Sequence, residues 1–331
     1  MHSFDRHRKS GFGVHARLAV FCCLTLLTAV SAAQNFPQKP VRMIVPLAAG
    51  GSTDVLARLI GSKLTEMWSQ NIIVENKPGG GTSIGNDFVA KSPADGYTIL
   101  MATSAYAVNF SLLAKVPYKQ TDLTALSNAA QTPNVLVVHP SVPVKSLKEL
   151  TALLKAKPGQ LTFSSGGIGG SSHLAGELFK VMANVDITHV PYKGGSLAVT
   201  DVVAGHIPMT FGNLTSVLPF ARAGRLRVLA VSSAKRTPHM AETPTMAEAG
   251  LPGFEAATWN GLIAPAATPP EIVNKLNADI VRVLAMPDVR EKLAANALEP
   301  IGDSPAAFQA FINAEIARWA RVVKSANLKA E

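Results

Sequence analysis

The segment VRMIVPLAAGGSTDVLARLI, residues 41–60, decides the fold class of this chain. A β-rich run ends at Pro46, a glycine-rich loop follows, and apolar residues then recur at helical spacing from Val55 to Leu64. The same order returns, with glycine or hydroxyl residues after a short apolar run, at residues 72–82, 97–104, 161–173 and 187–195. Strands that alternate with helices predict a parallel sheet covered on both faces, an α/β fold.

The second half of the chain continues this alternation and then ends in helices. Further strands are predicted at residues 135–138, 208–211, 228–231 and 258–264, and helices at 270–284 and 305–326. We interpret the strand at 258–264 as one that returns the chain to the first group of strands. The pattern therefore favours two lobes.

The first 33 residues have the features of a secretory signal peptide. Four basic residues and one acid precede residue 18, an apolar run follows at 18–30, and small residues lead to Ala32 and Ala33. The apolar run is shorter than the ~20 residues that span a bilayer, which favours a cleaved segment over a retained anchor. Because Cys22 and Cys23 are the two cysteines of the chain, cleavage after Ala32 or Ala33 would leave an exported protein without disulfides or cysteine metal sites.

Composition and motifs argue against several functional classes. Charged residues make up only 16% of the chain and are scattered, so no basic stripe with interleaved aromatic residues supports nucleic-acid binding. The sequence contains no G-x-x-x-x-G-K-[ST] motif, no H-E-x-x-H motif, and no G-x-G-x-x-G after the first strand. We therefore expect no cofactor and no metal site.

Three glycine-rich loops follow predicted strands, at residues 46–54, 78–82 and 164–172. Such a loop before a helix presents free backbone N–H groups and the positive end of the helix dipole, which together bind an anion without a charged side chain. Ligands of open α/β sheets lie at this edge of the sheet. Hydroxyl residues in these loops either donate to a bound carboxylate or only cap the helix, and the presence of three loops favours binding.

Individual side chains leave alternatives open. Asp54 would repel a carboxylate and fits better as a stabiliser of its helix start. His173 either donates to a ligand or packs at a helix start, and Asn213 either points into a cleft or away from it. A secreted hydrolase would pair Ser171 or Ser172 with His173, but neighbouring residues at a helix start do not face each other well.

Eight segments, in order along the chain, resemble the receptors of tripartite tricarboxylate transporters (TTT), the family named for Bordetella uptake (Bug) genes. They are FPQKPVRMIVPLAAGGSTDVLARLI (36–60), VENKPGGGTSIG (74–85), DGYTILMATS (95–104), KPGQLTFSSGGIGGSSHLAGELF (157–179), HVPYKGGSLAVTDVVAGHI (189–207), AGRLRVLAVSS (223–233), TPTMAEAGLPGFE (243–255) and WNGLIAPAATPPEIVNKLN (259–277). The resemblance extends from about Phe36 to the C-terminus.

The resemblance implies a periplasmic binding protein of the type II-like class, with two α/β lobes and a hinge of crossing strands. We expect one lobe at residues 35–131 plus 258–331 and the other at residues 132–257. The resemblance also implies a periplasmic receptor, not an enzyme, that captures a small carboxylate and delivers it to the small and large integral membrane subunits of a TTT permease. We expect the receptor to be a monomer. The alternative to transport is a receptor of the same fold that passes its ligand signal to a sensor.

The resemblance further implies that backbone groups and bridging waters from the loops at 46–54 and 164–173 hold the ligand carboxylate, with residues 103–104 and 192–196 as further walls. The candidate ligand-binding residues are then Leu47, Ala48, Gly50, Gly51, Ser52, Thr53, Thr103, Ser104, Ser165, Gly169, Gly170, Ser171, Ser172, Tyr192, Gly194, Gly195 and Asn213. Leu47 departs from the family pattern, which often has Phe or Tyr there. Because an aromatic residue there would lie against the ligand, Leu47 indicates a pocket of a different shape.

Overall fold

The computed structural model describes residues 36–192, 194–326 and 328, so the predicted signal peptide at residues 1–33 lies outside the described residues. The deciding segment forms strand β1 (Val41–Val45), a loop and helix α1 (Ser52–Trp68), as its sequence predicts. Gly50 lies in this loop at φ +85°, a conformation that residues with a side chain rarely adopt. The glycine therefore allows the chain to turn from the strand into the helix.

The remaining elements continue the alternation of strands and helices. The first group is β2 (Ile72–Asn76), α2 (Ser83–Ala90), β3 (Thr98–Thr103) and α3 (Ser104–Leu112). The second group is β4 (Leu123–Val138), α4 (Leu147–Ala156), β5 (Thr162–Ser165), α5 (Ser171–Ala183), β6 (Thr188–Pro191), α6 (Gly195–Val203), β7 (Met209–Asn213), α7 (Leu214–Arg222) and β8 (Arg227–Val231). The chain then forms β9 (Ala257–Pro265), α8 (Pro270–Ala285), α9 (Pro287–Ala295), β10 (Glu299–Pro300) and α10 (Pro305–Ser325).

Ten strands of the described residues pair in the order β2-β1-β3-β9-β4-β7-β5-β6, with β8 and β10 also paired to β4. Strand β1 is parallel to β2 and β3, and β5 is parallel to β6 and β7. Each half of the sheet thus contains the parallel strands that the sequence predicts. Strands β9 and β4, between the halves, are antiparallel to their neighbours, so the complete arrangement is mixed.

Strand β4 carries the chain from one half to the other. Its residues up to Pro133 pair with β9, and those from Asn134 onward pair with β7. The returning chain crosses beside it: Ser232 N donates to Asn134 O (2.8 Å), and Ala256 N donates to Ser232 O (2.9 Å). These crossing strands join two α/β lobes, which confirms the predicted fold class. The lobe boundaries, 35–131 plus 258–331 and 132–257, stay a prediction.

The C-terminal helix α10 fixes the crossing region from one side, because it packs against α3, β4 and α5. Phe308 and Trp319 of this helix are buried. The ring of Trp259, on crossing strand β9, stands edge-on to Phe308 with centroids 5.5 Å apart. No helix within the described residues combines the length and the apolar character needed to cross a membrane.

Candidate anion-binding site

A cavity of ≈ 290 Å³ lies between the lobes, where the carboxyl ends of the parallel strands lead into helices. The lobes contribute the first turns of several helices, and the crossing strands contribute one residue each, Asn134 and Thr258. The lining residues are Leu47, Ser52, Thr53, Thr82, Thr103, Ser104, Ala105, Asn134, Gly166, Gly170, Ser171, Ser172, Gly195, Ala198, Thr210, Gly212, Asn213 and Thr258. We call this space the inner cavity.

Four helices begin at the inner cavity without a side-chain cap. Helices α1, α3, α5 and α6 are preceded by Gly51, Thr103, Gly170 and Gly194, respectively. None of these four residues forms a hydrogen bond from its side chain to the start of the helix. Helix α4, which begins elsewhere, is capped, because Ser146 Oγ accepts a hydrogen bond from Glu149 N (3.2 Å). The N–H groups and the positive dipole ends of four helices therefore converge on one small volume.

The inner cavity has an uncharged lining that includes many hydroxyl groups. None of the lining residues that the structure describes carries a formal charge, and hydroxyl and amide groups supply their polar side-chain atoms. An anion bound here would be held by neutral donors, whose hydrogen bonds to a charged group contribute ~1.5–3 kcal/mol each. Across the described residues, no group of three His, Cys, Asp or Glu side chains is placed to hold a metal ion.

Asp54 directly follows the lining residues Ser52 and Thr53, yet its carboxylate forms hydrogen bonds that stabilise the loop at 46–54. The buried carboxylate accepts hydrogen bonds from Gly50 N (2.9 Å), Arg58 Nε (3.0 Å) and Asn76 Nδ2 (3.0 Å). Burial acts to raise the pKa of Asp54, but the bonds from Arg58, Gly50 and Asn76 together outweigh it and hold the pKa below its ordinary value. The side chain is therefore ionised and locally neutralised, which fits its predicted structural function.

Hydroxyl groups link the start of α5 to both crossing strands. Thr258 Oγ1 donates to Ser171 Oγ (2.6 Å), and Ser171 Oγ donates to Asn134 Oδ1 (3.4 Å). In the other lobe, Thr53 Oγ1 at the start of α1 donates to Asn260 Oδ1 on β9 (2.7 Å). The walls of the inner cavity are thus tied to the hinge by side-chain hydrogen bonds.

Two histidines support the serine–glycine loop, residues 164–172, from behind. Gly169 N donates to His173 Nδ1 (3.1 Å), the ring of His173 stacks on that of His189 with centroids 4.1 Å apart, and His189 Nε2 bonds Ser165 Oγ (2.6 Å). Burial lowers the pKa of His173 to about 3 and that of His189 to about 4. Both rings are therefore neutral near pH 7, and a neutral Nδ1 can accept the amide proton of Gly169. This geometry favours the packing role of His173.

A second cavity, of ≈ 470 Å³, adjoins the inner cavity and shares Leu47, Thr82, Ala105 and Gly170 with it. We call it the outer cavity. Its walls come from the loops after β1 and β2, from α3, and from the serine–glycine loop of the other lobe. The two lobes meet closely here, since a Cβ placed on Gly169 would lie 2.6 Å from Leu112 Cδ2.

A known receptor family matches most of the chain. The profile of the tripartite tricarboxylate transporter family receptor covers residues 56–328. The chain belongs to this family. Protein BugT of Bordetella pertussis is 39% identical to it over 317 residues, which make up 95% of this chain and 97% of that protein. The resemblance stated from the eight sequence segments is thereby confirmed.

Two solved structures share the fold of this TTT family receptor over almost their whole length. "R. palustris Rpa4515 with adipate" is 39% identical, with a TM-score of 0.79, and the match covers 89% of this chain and 100% of that one. MatC (Rpa3494) from Rhodopseudomonas palustris with bound malate is 31% identical, with a TM-score of 0.75, over 87% of this chain and 100% of that one.

The structure of the receptor brings together many of the residues predicted to bind the ligand. Those that line the inner cavity are Leu47, Ser52, Thr53, Thr103, Ser104, Gly170, Ser171, Ser172, Gly195 and Asn213. Of the others, Ala48, Gly50 and Gly51 are exposed in the first loop, and Gly169 lines the outer cavity. The binding roles of all these residues stay predictions.

Three further candidates line neither the inner nor the outer cavity. Ser165 is buried and bonded to His189, the hydroxyl of Tyr192 donates to the Asp201 carboxylate, and Gly194 precedes α6 outside the lining. Asn213 does line the cavity, and its side-chain oxygen also accepts from Thr215 N (3.3 Å), which caps α7.

Sequence reasoning missed eight lining residues of the receptor: Thr82, Ala105, Asn134, Gly166, Ala198, Thr210, Gly212 and Thr258. Thr82 belongs to the glycine-rich loop at 78–82, which the sequence marks as an anion-binding candidate. Gly212 immediately precedes Asn213 at the end of a strand. Asn134 and Thr258 carry no local signal, because only the pairing of distant strands brings them to the cavity.

The serines of a hypothetical hydrolase lack a histidine partner in the described residues. Ser172 Oγ accepts from Gly166 N (3.0 Å), and Ser171 bonds the crossing strands, while His173 faces Gly169. The sequence GTSIG at 81–85 matches the G-x-S-x-G pattern of a nucleophile elbow around Ser83, a serine that has no described hydrogen bond to histidine. Among the described residues, Ser83, Ser171 and Ser172 therefore form no serine–histidine pair, and the bonded pair Ser165–His189 lies outside the lining of the inner cavity.

Proposed function

We propose that this receptor binds a small carboxylate in the inner cavity and delivers it to the small and large integral membrane subunits of a TTT permease. The observation that carries the proposal is the convergence of four uncapped helix starts on a cavity whose described lining is neutral. A carboxylate both accepts from the N–H groups and gains from the helix dipoles, whereas a neutral solute gains mainly from the hydrogen bonds.

The magnitude of the interaction is sufficient for a receptor. A hydrogen bond to a charged group contributes ~1.5–3 kcal/mol, and four of about 2 kcal/mol reach the ~8 kcal/mol of a micromolar complex, before ordering costs. The two relatives in complex with adipate and malate support a carboxylate ligand for this chain. Organic acids, acidic amino acids and aromatic acids all carry the required group.

The cellular setting follows from the same proposal. The signal segment at residues 1–33 would export the chain to the periplasm, where a two-lobed receptor can close around a solute and present a joint surface to the permease. The protein would work as a monomeric receptor without a cofactor, and not as an enzyme. The neutral cavity needs no metal or prosthetic group to hold an anion.

Thermal shift with matched acids and amides tests the ligand class. A ligand that binds only the folded protein stabilises it by RT ln(1 + [L]/Kd), about 2.7 kcal/mol at a hundred times Kd. We expect at least one acid from a panel of aliphatic, aromatic and amino acids to raise the melting temperature, while its amide, of nearly equal shape, does not. Stabilisation by amides or neutral sugars, with no response to any acid, would show that the ligand class is wrong.

Uptake measurements test delivery. Membrane vesicles that contain both permease subunits should accumulate the labelled acid only when the purified receptor is added, because the receptor supplies the bound solute. Accumulation that is independent of the receptor would contradict its function in transport.

A further inference from the structure

The inner and outer cavities adjoin each other in the cleft between the lobes. They share Leu47, Thr82, Ala105 and Gly170, so these residues mark the border that a ligand occupying both cavities would cross. Ser52, Ser171 and Gly195, at the starts of α1, α5 and α6, line only the inner part, whereas Gly170 and Ala105 line both. The two parts therefore offer different chemistry to the two ends of a ligand.

The outer cavity is mainly hydrophobic. Its apolar side chains are Pro46, Leu47, Pro78, Leu112, Leu113 and Ile168. Leu47 is 38% exposed and Ile168 is 43% exposed, and they come from opposite lobes. An apolar group placed between them would remove part of this hydrocarbon surface from water, at ~25 cal/mol per Å².

The polar side chains of the outer cavity are engaged within its own wall. Asn109 Nδ2 donates to Gly81 O (2.9 Å) and to Thr82 Oγ1 (3.2 Å), and Thr82 Oγ1 is also 3.3 Å from Asn86 Nδ2. Both N–H groups of the Asn109 side chain are therefore engaged within the wall and are not free to bind a second charged group of the ligand.

We propose that the outer cavity holds the hydrophobic body of the ligand, and that the receptor prefers a carboxylate with an alkyl chain or ring to a compact hydroxy-polyacid such as malate or citrate. This proposal rests on the proposed function, because it assigns the carboxylate end of the ligand to the inner cavity. It adds that the apolar residues of both lobes select the rest of the molecule.

A homologous series of acids tests this assignment. Isothermal titration with acetate, butanoate and hexanoate should show Kd falling about fourfold for each added methylene, since burial of one CH₂ contributes ~0.8 kcal/mol. Hexanoate should also bind more tightly than malate or citrate. A Kd that does not change along the series, or a tighter complex with malate or citrate, would overturn the proposal while leaving the carboxylate function intact.

Two matched variants locate the effect. Ile168→Asn should flatten the dependence of Kd on chain length, whereas Ile73→Asn, a similarly exposed isoleucine (47%) on β2 outside both cavities, should keep it. Equal slopes in the two variants would overturn the assignment of the outer cavity. If no acid of any kind binds, malate and citrate included, the proposed function itself fails, and this inference fails with it.

Discussion

Ser171 and Ser146 both stand at helix starts, and we predict that their replacement by alanine has opposite consequences. Ser146 caps α4 through its hydroxyl, whereas Ser171, the first residue of α5, does not cap its helix and lines the inner cavity. Ser171→Ala should therefore weaken carboxylate binding with little change in stability. Ser146→Ala should lower stability with no change in binding.

The size of each effect follows from the contacts. A hydrogen bond to a carboxylate contributes ~1.5–3 kcal/mol, so its loss in Ser171→Ala should raise Kd by about 10- to 150-fold. Its present partners are Thr258, which is half-buried and open to replacement of the contact by water, and the buried Asn134, whose contact is long (3.4 Å) and therefore weak. Loss of the cap in Ser146→Ala should cost ~1 kcal/mol, a fall of roughly 2 °C in Tm.

Isothermal titration and urea unfolding on both variants measure the two effects separately. The comparison is matched because each variant removes one hydroxyl group from the start of a helix in the same lobe. An unchanged Kd in Ser171→Ala would refute the inference that the uncapped start of α5 contacts the ligand. A rise in Kd of equal size in both variants would refute it as well, because it would point to a general loss of structure.

Two further predictions concern stability. Burial lowers the folded-state pKa of His173 from 6.5 to about 3, so below pH 6.5 the unfolded chain binds a proton that the folded protein does not, and the free energy of unfolding falls by ~1.4 kcal/mol per pH unit. Urea unfolding between pH 7 and 4.5 should therefore show a free energy of unfolding that depends less on pH, by that amount, in His173→Gln. An identical pH dependence in the variant would contradict the burial argument. Gly261→Ala should destabilise the protein by ~1–3 kcal/mol, because its Cβ would lie 2.6 Å from Cε1 of the buried Phe308 ring. The control variant Gly195→Ala has no atom within 4 Å of the new Cβ, and its free energy of unfolding should differ from that of the original protein by less than about 1 kcal/mol. Equal unfolding midpoints of the two variants would show that the core adjusts to a methyl group at Gly261.

Local signals were sufficient to predict the fold class, but not the length of the strand that joins the lobes. The sequence predicts a strand only at 135–138, whereas β4 begins at Leu123. Polar residues such as Ser127 and Asn128 interrupt the apolar pattern in its first part. In the folded protein, Asn128 N donates to Asp303 Oδ1 (2.7 Å), and Asp303 lies 175 residues further along the chain. A hydrogen-bond partner so far along the chain cannot be recognised from the pattern of apolar and polar residues around Asn128.

The difference between local sequence signals and contacts with distant residues also explains which parts of the candidate site could be predicted. Ser52, Ser104 and Ser171 follow strands and begin helices, so chain order alone places them at the carboxyl edge of the sheet. Asn134 and Thr258 lie within or at the start of long strands, where a polar residue ordinarily gives no sign of function. Their position at the cavity depends on the pairing of β4 with β7 and of β9 with β4.

Hydrogen bonds to the crossing strands connect the predicted binding residue Ser171 to the hinge. Ser171 at the start of α5 is bonded to Thr258 on β9 and to Asn134 on β4, and Asn134 Nδ2 in turn donates to Ala256 O (2.9 Å) beside the second crossing. A carboxylate that takes the Ser171 hydroxyl competes with the 3.4 Å bond to Asn134, the weaker of these contacts by its length. Binding would then exchange a bond between a lobe and the hinge for a bond to the ligand. This exchange would take place at the strands that join the two lobes.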